Sequence, residues 1–334
     1  MHKTTNFIIQ GTLLFLLFSI LTNVNLIKAQ KAKILQPQFD GNWWRIASTP
    51  VIEKYNSLKQ EPVDFGIWQA SDGTWQLWSC IRNVNCGGHE RLFYRWEGEK
   101  LTDTNWKPIG IAMMSDSKYG ESLNGLQAPF VFKEKGIYYM FYGDWDRICL
   151  AKSKDGKNFD RVLNKNGQPD LFKGPFENTR DAMVIKINNL YYCYYTGHTD
   201  NPPLGMDSCA VFCRVSTDIL NWSEAMVVCS GGSPSKGPAW YGANSECPFV
   251  VHKDNYYYLF RNQLYGGWNL NTQYVSENPL LFGVGNDDHM IQQLKIAAPE
   301  IIEYEGKYYI VALTPALDGI RIAKLIWVEK DKTK

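Results

Sequence analysis

The sequence predicts an all-β fold, a single five-bladed β-propeller filling residues 31–334. Three observations predict it. One hairpin recurs five times, its turn falls at a constant offset, and no segment after residue 30 carries a helical period long enough to argue for an α/β fold. The second strands read TWQLWSCI (74–81), IYYMFYGD (137–144), LYYCYYTG (190–197), YYYLFRNQ (256–263) and KYYIVALT (307–314). Their first strands are DFGIWQAS, APFVFKEK, DAMVIKIN, CPFVVHKD and APEIIEYE. From Phe65 to Gly73, Ala128 to Gly136, Asp181 to Asn189, Cys247 to Asn255 and Ala298 to Gly306 the count is eight each time. The turns carry Gly, Asn and Asp, which tolerate the left-handed backbone a tight hairpin needs.

Taken in order, the repeats start at 65, 128, 181, 247 and 298. One such unit cannot bury both of its faces, so five pack radially around an axis. A third strand follows most hairpins, clearest in ICLAKSKDGKNF (148–159) and AVFCRVSTDILNW (210–222). The fifth copy runs out after GIRIAKLIWV (319–328), and the segment near GNWWRIAST (41–49) is placed to supply its missing strand and close the ring. Aromatics make up 14% of the chain, a content suited to half-buried strands and to flat ligand faces.

Residues 1–30 read differently. The apolar run from Phe7 to Ile27 behind Lys3 has the form of a secretory signal peptide, with Gln10, Asn23 and Asn25 interrupting it. A single membrane anchor is the competing reading. A signal peptide implies a secreted or periplasmic protein with no membrane insertion after cleavage. Removing Lys3 and Lys28 leaves 33 basic against 34 acidic residues, and a near-neutral chain has no electrostatic footprint for nucleic acid. Of the eight cysteines, Cys80/Cys86 and Cys209/Cys213 are closest in sequence, as an exported protein could pair them. Cys149, Cys193 and Cys247 read as small buried hydrophobes on strands.

The innermost strand of a propeller blade lines the central channel, so its start lies at one rim. The register therefore gathers VDFG (63–66), QAPF (127–130), RDAM (180–183), ECPF (246–249) and AAPE (297–300) around one axis. Three bring acids: Asp64, Asp181 and Glu246. Glu300 lies deeper on its strand. Acids at strand starts often only cap turns, but three on one rim repel one another and raise at least one proton affinity. Glycoside hydrolysis uses such a set, with one acid for the leaving oxygen and one carboxylate as base or nucleophile.

These segments resemble the five-bladed propeller glycosidases of glycoside hydrolase family 32 (invertases, fructanases) and family 43 (arabinofuranosidases, xylosidases, arabinanases). TRDAM (179–183) is similar to the RDP motif of family 32, with Ala182 in place of Pro, and SECP (245–248) is similar to its EC motif. In blade one Asp64 keeps the spacing to the turn glycine of the NDPNG motif, but its Asn and Pro are missing, a departure from the fructoside pattern. Family 43 uses an Asp base, an Asp modulator and a Glu acid at successive inner strands. The resemblance implies Glu246 as acid, Asp64 as nucleophile or base, Asp181 as stabiliser of the charge developing on the sugar, and Arg180 as a partner to substrate hydroxyls.

Further candidates for the sugar pocket are Gln127, Asp144, Trp145, His198, Trp240 and Arg261; packing between blades is the plainer alternative for the aromatics, except Trp240, whose Gly/Ser/Pro-rich loop favours substrate contact. Asp287-Asp288-His289 reads as a polar loop rather than a cation site. The expected partner is a carbohydrate substrate. The chemistry requires no cofactor, and the resemblance leaves room for a structural cation on the axis. The readings of another class are a non-catalytic carbohydrate-binding propeller and, as a second enzyme, a glycoside phosphorylase. Oligomeric state is left open.

Overall fold

A computed structural model describes residues 33–237 and 244–330. Trp240 and the whole of residues 1–30 lie outside the described residues. The hairpins become antiparallel blades, four-stranded except for blade two, which has a fifth short strand. Blade one runs Glu61–Gln69, Trp75–Arg82, Arg91–Gly98 and Lys107–Met113, in that spatial order from the axis outward. Blade two has inner strands Leu126–Glu134, Ile137–Asp144 and Arg147–Ser153, with the short outer strands Asp160–Arg161 and Asp170–Lys173. Blade three is Asn178–Ile187, Leu190–His198, Cys209–Ser216 and Met226–Ser230, and blade four is Glu246–Lys253, Tyr256–Leu264, Leu270–Ser276 and Met290–Leu294.

Blade five closes the ring as the sequence suggests. Its inner strands are Glu300–Tyr304, Lys307–Leu313 and Gly319–Glu329, and its outermost strand is Leu35–Ser48 from the start of the described chain. The closing strand is longer than 41–49. It pairs antiparallel with Gly319–Glu329, from Leu35 opposite Glu329 to Ser48 opposite Gly319. Among the described residues no helix is long and apolar enough to cross a membrane.

The aromatic content has a structural use at every blade junction. Trp68 packs edge-on to Phe159 between blades one and two, and its indole N–H donates to Gly156 O at 2.7 Å. Phe132 meets Tyr191 between blades two and three, and Tyr194 meets Phe282 between three and four. Tyr258 meets Trp327 between four and five, and Tyr304 meets Trp75 between five and one. Each such pair is worth about 0.5–1.5 kcal/mol beyond its buried area. The ring is thereby held at five joints of similar chemistry.

All eight cysteines are free thiols, so neither near-sequence pair is bridged. Cys149 and Cys193 are buried strand residues, as expected. Cys247 departs from that expectation. It is half-buried and faces the axis, where its thiol lies against a carboxylate rather than in an apolar core.

Candidate active site

Each of the first four inner strands begins with an irregularity. The pairing register breaks between Val63 and Phe65, Gln127 and Phe130, Arg180 and Met183, and Glu246 and Phe249. At or beside the break one non-glycine residue takes a left-handed backbone: Asp64 (φ 36°), Ala128 (42°), Asp181 (59°) and Cys247 (43°); Ala298 (46°) does the same in blade five. Such residues cost roughly 1–3 kcal/mol each and persist where the surroundings over-determine them. These equivalent irregularities set five side chains in one ring about the axis. The backbones come close there. A Cβ on Gly66 would lie 2.4 Å from Pro129 O, so only glycine fits between blades one and two at that level.

The ring corrects the sequence register in two places. Asp64, not Phe65, is the blade-one equivalent of Ala128 and Asp181, because the stretch from the ring position to the turn at Gly73 is one residue longer there. Glu246 is not equivalent to Asp64 and Asp181. It stands one residue before the ring, in the position of Gln127 and Arg180, and Cys247 takes the blade-four ring position.

The three acids nevertheless open into one cavity of about 980 Å³. Asp64 and Asp181 present carboxylate oxygens within 4.8 Å of each other. Cys247 links them: its backbone N–H donates to Asp181 Oδ2 at 3.1 Å, and its thiol lies 3.3 Å from Asp64 Oδ1 and 3.0 Å from the Tyr265 hydroxyl. Arg180 forms an ion pair with Glu246 and holds Nε 3.7 Å from Asp181 Oδ2. Burial pushes the Asp181 carboxyl up to about 7, with Asp64 and Glu246 adding to the rise and Arg180 opposing it. Burial and then Glu246 raise Asp64 as well, while Arg91 and Arg82 pull it down. Burial likewise raises Glu300, whose carboxylate accepts from Ile67 N–H below the ring.

Of the other candidates, Gln127, Trp145 and His198 line the cavity. Gln127 is buried and has Oε1 without a hydrogen-bond partner. Trp145 stacks face to face on His89 at 3.6 Å, which fixes its ring as part of the wall. Asp144 and Arg261 do not line the cavity. Asp144 accepts from Ser122 N–H and the Arg147 guanidinium, so it holds the turn that carries Trp145. Arg261 is fully buried and donates to Asn244 O, Gly231 O and the Tyr274 hydroxyl, which makes it a brace behind the loop leading to Glu246. Asp287 accepts from Ser233 N–H as part of a polar loop.

Sequence reading misses Tyr265, Arg82 and Arg91, all cavity residues. Arg82 ends a second strand and Arg91 starts a third, where no motif marks them. Tyr265 directly follows the blade-four strand Tyr256–Leu264, and no motif marks it either. Trp268, in the short turn Gly266–Trp268, is 82% exposed at the cavity edge.

No protein-family model matches the chain, and no curated protein matches it. Solved structures are similar to it in fold. A thermostable family 43 glycoside hydrolase superposes with a TM-score of 0.59 at 18% identity, over 86% of this chain and 96% of that one. A family 43 enzyme from Xanthomonas citri, solved with xylotriose, gives 0.60 at 12% identity over 84% and 90%. An endo-arabinase from Bacteroides thetaiotaomicron gives 0.60 at 13% over 86% and 96%. The fold is therefore the five-bladed propeller found in family 43 glycoside hydrolases.

Proposed function

We propose that this protein is a glycoside hydrolase acting on oligo- or polysaccharides of the furanoside or xyloside type. The observation that carries the reading is the convergence of Asp64, Asp181 and Glu246, from three blades, in one cavity with Arg180, the unbonded Gln127 acceptor and the Trp145 wall. Glu246 is ion-paired with Arg180 in this structure, so its role is to protonate the leaving oxygen once bound substrate takes Arg180 away from it and the carboxyl gains a proton. Asp64 attacks the anomeric carbon or deprotonates the water that does so. Asp181, between Arg180 and Asp64, balances the positive charge that develops on the sugar ring. The xylotriose complex and the endo-arabinase among the similar structures support a pentose-containing substrate. We further propose that residues 1–30 direct export and that the folded domain works outside the cell or in the periplasm.

The test is hydrolysis of arabino- and xylo-oligosaccharides by the wild type and by D64N and E246Q, with melting curves to show that each variant folds. Turnover is expected in the wild type and its loss in both variants, with oligosaccharide binding retained. Binding without turnover in the wild type would favour the carbohydrate-binding propeller, and turnover that depends on phosphate would favour the phosphorylase. N-terminal sequencing of exported protein tests the signal peptide.

A further inference from the structure

Below the ring the axial space is about 40 Å³, walled mostly by apolar side chains such as Phe65, Phe130, Met183 and Phe249, with Asp64, Asp181, Cys247 and Glu300 also reaching it. The acid at that depth, Glu300, is bonded to Ile67 N–H. A hard cation such as Ca²⁺ takes six or more oxygens, whereas most of this wall is apolar and one of its carboxylates, Glu300, is already bonded to backbone. The donors that converge at the upper end of this space are of mixed kind: the Cys247 sulfur and one carboxylate oxygen each from Asp64 and Asp181, all within 4.8 Å of one another.

Two further features point to a ligand there. Asp181 Oδ1 is buried on a side chain only 3% exposed and has no donor at good hydrogen-bond geometry, although the Thr196 hydroxyl stands beside the carboxyl and its Oδ2 accepts from Cys247 N–H. The Cys247 Sγ to Asp64 Oδ1 distance is 3.3 Å. A tetrahedral zinc ion with Zn–S near 2.3 Å and Zn–O near 2.0 Å needs an S···O edge of roughly 3.5 Å. Two of the ligands are thus already close to the spacing a thiophilic ion requires, on backbone that the bulges hold in place.

We propose that Cys247, Asp64 and Asp181 form a binding site for a thiophilic divalent cation of the zinc and cadmium class. Binding releases the Cys247 thiol proton to solvent and leaves a thiolate–metal bond. Donors of this softness select zinc-like ions over Ca²⁺ and Mg²⁺. Metal binding does not rest on the proposed hydrolase activity. Its consequence does: an ion on Asp64 and Asp181 takes both from catalysis, so zinc would inhibit reversibly and competitively with substrate.

Cadmium titration of the chelator-stripped wild type tests the site by a readout independent of turnover, the thiolate-to-cadmium charge-transfer absorption. One equivalent with that band is expected. C86A is the control, since Cys86 is the other cysteine that is not fully buried. It should keep the band, C247A should lose it, and D64N should keep it with weaker affinity. Should C247A fail to fold, alkylation of the wild type replaces it: zinc is expected to protect Cys247 from iodoacetamide and to leave Cys86 reactive. No band in the wild type, a band that survives in C247A, or equal alkylation of Cys247 with and without zinc would overturn the proposal.

Discussion

Arg180 and Glu246 hold the same position on neighbouring blades, each one residue before its bulge, and close on each other as an ion pair with side chains 13% and 12% exposed. The guanidinium also donates to Asn178 Oδ1 at 2.5 Å and stands beside Asp181, so a single cation serves two acids of the site. Removing one partner of a buried pair leaves the other charge uncompensated, at a cost of about 3–5 kcal/mol. R180M is therefore expected to lose about 3 kcal/mol of stability in urea unfolding at pH 7, and R180K to recover part of it. A loss under about 0.5 kcal/mol would mean that solvent already screens the pair.

The Asp181 carboxyl predicts an opposite variant. An aspartate in the unfolded chain titrates near 3.9, and in the folded protein this one titrates at about 7 because it is buried. The folded state holds its proton more tightly, so the group favours folding at low pH, and that contribution is lost as the pH rises towards 7. An asparagine in its place would carry no charge to desolvate. D181N should match the wild type at pH 4 and exceed it by roughly 2–3 kcal/mol at pH 8, since a tenfold change in proton affinity is worth about 1.4 kcal/mol and coupling to Asp64 takes part of the whole. Denaturation midpoints across that range check it, and a stability difference that does not change with pH rules out a raised Asp181.

The cavity wall separates two tryptophans. Trp145 is clamped by His89 and has the Arg91 guanidinium 5.6 Å from its ring, whereas Trp268 stands exposed on the rim. In the proposed hydrolase a fixed ring in the cavity wall would contact the sugar next to the cleaved bond, and a rim ring would contact sugars further out. W145A is expected to raise KM about tenfold, or about 1.4 kcal/mol, for short and long oligosaccharides alike. W268A should weaken only the longer ones. Equal effects of both variants at every chain length would remove the distinction.

Much of this is legible in the sequence, for a physical reason. A blade is a local object, and the strand period, turn residues and second-strand aromatics of its hairpin lie close together along the chain. The blade count, the closing strand and the three acids follow from that. The bulges are not legible, since Ala128, Asp181 and Cys247 share no side chain that requires a left-handed backbone. Their position shows only in pairing with the neighbouring strand. That is why sequence alone groups Glu246 with Asp64 and Asp181, and why Cys247 reads as a packing residue. Arg261 misleads for a related reason. Its strand position resembles that of a pocket residue, but its partners are loop carbonyls distant in sequence.

The closing strand Leu35–Ser48 ties the fold to the proposed maturation of the chain. It buries Ile46 and Ala47 in blade five, and it reaches blade four through Leu35 N–H to the Tyr258 hydroxyl at 3.0 Å and Gln36 Nε2 to Ile291 O at 3.2 Å. Without it Gly319–Glu329 becomes an exposed edge, open to pairing with another chain. Cleavage near residue 30 would spare the strand, whereas removal of residues 31–48 would take it whole. The truncated protein is expected to aggregate or to melt well below the intact domain. I46A, which empties a fully buried site without cutting the strand, should cost about 2–4 kcal/mol. Size-exclusion chromatography and thermal melts of the two variants separate these effects. A monomeric truncation that melts with the intact domain would mean that the aromatic joints alone hold the ring closed.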